Sequence, residues 1–118
     1  MFLVSDGLDD GKIIDQIEFN INEEDHAWEV YRKVIGFGKL LVSKSLPLFV
    51  KGECQVVTQD HNDVTIFNKP LLKNNKIDFE KESLDQIYRK IKALSKPYQG
   101  AFIEKDGKKL VIWKAELI

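Results

Sequence analysis

His26, His61 and Cys54 are the side chains of this 118-residue sequence best suited to proton transfer or nucleophilic attack. His61 lies in the run QDHND, between Asp60 and Asp63. A carboxylate beside an imidazole can make a general base or part of a metal site. His26 follows Glu23, Glu24 and Asp25. Either histidine, with nearby lysines, would serve a small nuclease. A metal centre asks for three or four ligands, however, and the sequence has neither an H-E-x-x-H run nor a Cys/His cluster. The run QDHND also suits a turn, because Asp and Asn side chains bond to their own backbone. Cys54 opens a strand-like run without a nucleophile signature around it. Neither a metal nor a cofactor is expected.

Three further runs invite chemistry and fall short of it. In DGLDDGKIIDQIE, Asp6, Asp10 and Gly11 fit the first, fifth and sixth places of a calcium loop. Leu8 and Ile17 stand where oxygen ligands belong. GFGK (Gly36–Lys39) lacks Walker spacing and follows a helical pattern, whereas phosphate cradles precede one. GAFIEK overlaps an RNA-binding signature at Ala101, Phe102 and Ile103 only.

What remains is charge. Residues 1–30 carry nine acids against Lys12, a net of −8, while residues 31–118 carry +7. The stretch NINEEDHAWE sets Glu23, Glu24 and Asp25 beside Trp28, with Asp15 and Glu18 upstream. Carboxylates so gathered can take the place of nucleic-acid phosphates and steer a basic partner. The function expected on this basis is that of a non-enzymatic inhibitor, such as an immunity protein covering a basic nuclease toxin. Asp15, Glu18, Glu23, Glu24, Asp25 and Trp28 would form its docking face. Trp28 also shares helical spacing with Tyr31 and Ile35, which would bury it. The alternatives are the small nuclease above and an RNA-binding module using basic side chains at Arg89, Lys90, Lys92, Lys96, Lys105, Lys108, Lys109 and Lys114. A balanced total charge of −1 argues against nucleic acid as the partner.

The elements that must position these residues follow from periodicity. Ile17, Phe19 and Ile21 alternate with polar residues, as in a half-buried strand. Asn22 offers an N-cap, with Glu23–Asp25 in the first turn and Ala27, Val30, Tyr31, Val34 and Ile35 at helical spacing. Gly36 and Gly38 would end that helix, and residues 39–50 read ambiguously, with Pro47 against a continuous helix. Gln55–Thr58 and Val64–Asn68 flank the polar turn Gln59–Asp63 as a hairpin. Ser83 and Gln86 have capping-box spacing before a second helix with Leu84, Ile87, Tyr88, Ile91 and Leu94 on one face. Asp106-Gly107 then sits between two apolar runs, which predicts a type I′ hairpin pairing Lys105 with Lys108 and Phe102 with Val111. Apolar residues on both faces would place this hairpin centrally in a sheet.

The expected fold is a small single α+β domain over residues 1–118, with an antiparallel or mixed sheet, two main helices and a C-terminal β-hairpin. Its 43% apolar and 31% charged content is that of a globular protein. No run is long enough to span a membrane, and one cysteine with no basic leader suggests a cytoplasmic chain.

Overall fold

The computed structural model describes residues 1–67 and 72–118. Its main elements are α1 (Ala27–Val50), α2 (Leu84–Leu94), β1 (Ala101–Lys105) and β2 (Lys108–Ile112). Two helices and a two-stranded antiparallel sheet make a small α+β fold. The chain divides into two compact units, Met1–Asn20 with Arg32–Phe67 and Ile21–Tyr31 with Asn68–Ile118.

In the first unit, single antiparallel bridges join Phe2 to Ile13 and Ile13 to Val57. Ile13 and Val57 exchange both backbone bonds at 2.8 Å. Gln59 donates to the Asp9 and Gly11 carbonyls at 2.9 and 2.6 Å, tying the N-terminal loop down. This arrangement replaces the expected hairpin over 55–68, whose last residue lies outside the described ones. Val57 has taken Ile13 as its partner, and Asp60 caps a single 3-10 turn at His61–Asp63 by accepting from the Asn62 amide. Among the described residues, the expected strand over 17–21 likewise joins no ladder. Phe19 instead stacks on Phe37, with ring centroids 5.1 Å apart.

α1 departs from expectation at both ends. It begins at Ala27, because Glu23 and Glu24 sit in a turn closed by the Asp25 amide bonding to the Asn22 carbonyl at 3.0 Å. His26 occupies the cap, its carbonyl accepting from Val30 and its amide donating to Glu29. The helix then runs through Gly36, Gly38 and Pro47 for 24 residues. Neither of those glycines takes the left-handed conformation; Gly52 does, at φ 72°. There the Glu53 amide reaches the Leu48 carbonyl and the Gly52 amide reaches that of Phe49, the paired bonds of a Schellman stop.

The second unit has its core between α2 and the hairpin. Ile87 and Ile91 are buried on one face of α2 and pack with Ile77 and Ala101. Ser83 and Gln86 complete both bonds of the capping box at the helix start. The hairpin has the expected register, Phe102 opposite Val111 and Lys105 opposite Lys108. Asp106 and Gly107 both have positive φ, 51° and 70°, as a type I′ turn requires. The sheet is not central: among the described residues it has two strands, with one parallel bridge from Lys76 to Phe102. β2 is therefore mostly exposed.

Candidate nucleic-acid interface

Ser95 ties the beginning of α1 to the end of α2. Its buried hydroxyl donates to the Lys92 carbonyl at 2.7 Å and accepts from the Ala27 amide at 3.1 Å. Trp28 follows Ala27 in the chain and Lys96 follows Ser95, so this bond brings them to one place. Beyond β2, Trp113 and Lys114 reach the same place. The result is a shallow cleft of about 300 Å³, lined by His26, Trp28, Glu29, Ser95, Lys96, Trp113 and Lys114. All of it lies within the second unit.

The chain's two tryptophans thus line one cleft and remain open to solvent, Trp28 at 46% and Trp113 at 39% exposure. Trp28 stacks on Tyr31, centroids 5.7 Å apart and planes 24° from parallel. The Lys96 ammonium stands 5.6 Å from the Trp113 ring centre, within cation–π range. Gly100, at φ 79°, allows the closeness: a Cβ there would meet Trp113 ring atoms at 3.2 and 3.3 Å, and Val111 closer still. The loop between α2 and β1 is held by the Gly100 amide bonding to the Leu94 carbonyl at 2.8 Å. The Glu29 carboxylate accepts from the His26 amide at 3.2 Å, which turns part of its charge toward the start of α1.

Around the cleft the second unit is cationic. Residues 89–118 hold eight Lys and Arg against three acids. Some cations are engaged: Lys90 with Glu82, Lys76 with Glu104 at 3.4 Å, Lys92 with the Glu23 carbonyl and the Tyr88 ring, and Lys109 over Phe102. The side chains of Arg89, Lys105, Lys108 and Lys114 are exposed and make no hydrogen bond or ion pair with the described residues. Charges held out in water without partners are available to an anionic surface.

The residues singled out in the acidic segment are divided between the two units. Asp15 belongs to the first unit and is used there. Its carboxylate accepts from the Ser45 hydroxyl at 2.7 Å and from Lys44 at 3.0 Å, interactions that bring its pKa down to about 2. Glu18 is exposed in the first unit, and Glu23 and Glu24 are exposed in the second. Asp25 is half-buried and accepts from the Asn22 amide at 2.7 Å. Trp28 is exposed, against the buried position its spacing suggested, since only Ala27 and Ser45 of α1 are buried. His26 lines the cleft, whereas the side chain of His61 lies outside the described residues. In the N-terminal loop, Asp10 bonds to the Ser5 hydroxyl, and no three potential metal ligands come together among the described residues. The juxtaposition of Trp28 with Trp113 was not legible, because 85 positions separate them and no periodic pattern links them.

Comparison with known proteins gives this arrangement a context. The chain is 31% identical over 110 residues to the bifunctional polymyxin resistance protein ArnA of Wigglesworthia glossinidia brevipalpis, covering 93% of the chain and 17% of that protein. It is 31% identical to the methionyl-tRNA formyltransferase of Halalkalibacterium halodurans (98% of the chain, 36% of the enzyme). It is 28% identical to that of Natranaerobius thermophilus (95% and 36%). The chain therefore spans about a third or less of the length of these relatives. The expectations of a non-enzymatic inhibitor or immunity protein, of a toxin partner and of a small nuclease are corrected by these similarities. The charge pattern behind them has local uses: Asp15 holds Lys44, and Asp25 and Glu29 close backbone turns. The residues carrying α2, the hairpin, Lys96, Trp113 and Lys114 fall in segment 72–118, and it is this segment that matches the family model of the formyl transferase C-terminal domain.

Proposed function

We propose that this chain is the carboxy-terminal part of a formyltransferase acting on methionyl-tRNA, and that its second unit holds the tRNA for the enzyme. The observation that carries the reading is that segment 72–118, the part matching the formyl transferase C-terminal domain, presents unpartnered cations on its surface. Arg89 stands on α2, and Lys105 and Lys108 flank the hairpin turn. A rigid type I′ turn holds the two lysines at fixed spacing, which suits successive phosphates better than a mobile tail would. The net charge of −1 means that affinity for polyanions comes from this local surface and not from the molecule at large. Exposed Glu23 and Glu24 would act as a boundary that phosphates avoid. The basic helix and hairpin serve, in this reading, as part of an enzyme and not as a free-standing RNA-binding module.

The test is binding of the chain to fluorescently labelled methionyl-tRNA at increasing salt. The expected result is saturable binding at low salt that weakens steadily as salt rises, as counterion release requires. The triple variant Arg89→Gln, Lys105→Gln, Lys108→Gln should bind at least roughly ten-fold more weakly. No binding at about 50 mM salt, or an unchanged affinity in the triple variant, would overturn the proposal.

A further inference from the structure

The cationic surface accounts for phosphates, but not for the two tryptophans beside it. Indole carries a large apolar surface with a polar edge, and this unit leaves both of its own partly in solvent, in one cleft. Neither is needed to fill the core, which consists of Ile77, Ile87, Ile91 and Ala101 with their aliphatic neighbours. The cleft's charged walls are Lys96, held over the Trp113 ring, Lys114, which follows Trp113 in the chain, and Glu29, whose carboxylate accepts from the His26 amide. Aromatic faces with adjoining cations are what a nucleotide with an unstacked base asks for: a π surface for the base and an ammonium for its phosphate. A base-paired nucleotide offers the phosphate but not the free face. A hydrophobic peptide would use the indoles and leave the lysines unpaired.

We propose that this cleft binds an unpaired nucleotide of RNA, the base stacking on an indole of Trp28 or Trp113 and the phosphate taken by Lys96 and Lys114. The proposal rests on the tRNA reading above for the identity of the RNA, and adds that single-stranded positions, not only the duplex backbone, are recognised. Two features built into the fold pre-organise the site. The Ser95–Ala27 bond fixes Trp28 against Lys96, and Gly100 lets Trp113 lie close over the loop. The recognition would tolerate any base, because stacking reads a π-face and not an edge.

The cleft carries its own reporter, since Trp28 and Trp113 are the chain's only tryptophans. Intrinsic fluorescence of the full chain should be quenched saturably by single-stranded tetra-adenylate. Adenosine should quench more weakly and inorganic phosphate not at all, while a blunt RNA duplex should bind without comparable quenching. Trp28→Leu should weaken tetra-adenylate binding roughly ten-fold, read by anisotropy of a labelled oligonucleotide. Trp113 also packs over Gly100, so Lys96→Gln with Lys114→Gln supplies a second variant that leaves the core untouched; it too should bind more weakly. Absence of saturable quenching, equal quenching by duplex, or unchanged affinity in the lysine variant overturns the inference. The two proposals fail separately. If tetra-adenylate does not bind while methionyl-tRNA does, the nucleotide cleft falls alone. If methionyl-tRNA does not bind while tetra-adenylate quenches, the formyltransferase reading falls and the cleft stands.

Discussion

At Asp15, a short network turns into a pH dependence. The Ser45 hydroxyl and then the Lys44 ammonium hold its pKa at about 2, against an ordinary value of 3.8. A carboxylate whose pKa is lower in the folded chain stabilises the fold once pH is above its unfolded value, and loses that contribution as pH falls through the folded one. Asp15→Asn should therefore melt below the wild type at pH 7, with the difference closing between about pH 4 and pH 2. A carboxyl resonance of Asp15 titrating near its ordinary value would remove the basis for this expectation. Gly100 gives a second test at the same scale. Its φ of 79° and the nearness of Trp113 exclude a Cβ, so Gly100→Ala should cost about 1–3 kcal/mol in urea unfolding. It should also perturb tryptophan fluorescence, because the ring over Gly100 must move.

At the scale of elements, α1 is long but carries, besides Pro47, two glycines that weaken it. Gly36 and Gly38 lie inside it with open space where a Cβ would go. Glycine in a helix interior costs roughly 0.5–1 kcal/mol relative to alanine. Gly36→Ala and Gly38→Ala should each therefore raise stability by about that amount, measured by chemical denaturation. α2 behaves in the opposite sense, since its supports are already in place. Ser83→Ala removes an acceptor for the Gln86 amide and should cost about 1 kcal/mol. Ile91→Ala empties a buried position in a small core and should cost about 2–5 kcal/mol. A destabilisation below about 1 kcal/mol at Ile91 would mean that α2 does not form the core described.

For the molecule as a whole, the decisive property is the separation of charge from stability. The side chains of Lys105 and Lys108 make no hydrogen bond or ion pair with the described residues, so Lys105→Gln with Lys108→Gln should leave the unfolding midpoint unchanged. If both reach phosphates, the slope of log affinity for methionyl-tRNA against log salt should shrink by roughly 0.7–0.9 for each phosphate left without its lysine. A variant that binds more weakly with an unchanged slope would point to a role for these lysines other than neutralising phosphates. No helix among the described residues is long and apolar enough to cross a membrane.

Local chemistry was readable wherever a few adjacent residues decide the outcome. Asp106-Gly107 dictates a type I′ turn, because both positions need positive φ, and the turn then sets the register of the whole hairpin. Ser83 with Gln86 dictates the start of α2 for the same kind of reason. Elsewhere the sequence permitted more than one partner. Val57 has the residues of a hairpin strand around it, but pairs with Ile13, and only the folded chain shows which apolar neighbour won. Glycines at 36, 38 and 52 are alike as letters; the one at 52 stops α1 because only there does the backbone turn left-handed to close on Leu48 and Phe49. Net charge in the first 30 residues pointed to a docking face, yet the tertiary fold commits Asp15 to Lys44 and Ser45. The cleft was decided entirely at the tertiary level. Trp28 and Trp113 line one cleft because one hydroxyl at Ser95 joins two helix ends and one missing Cβ at Gly100 admits a ring, and neither effect leaves a period or a motif in the chain.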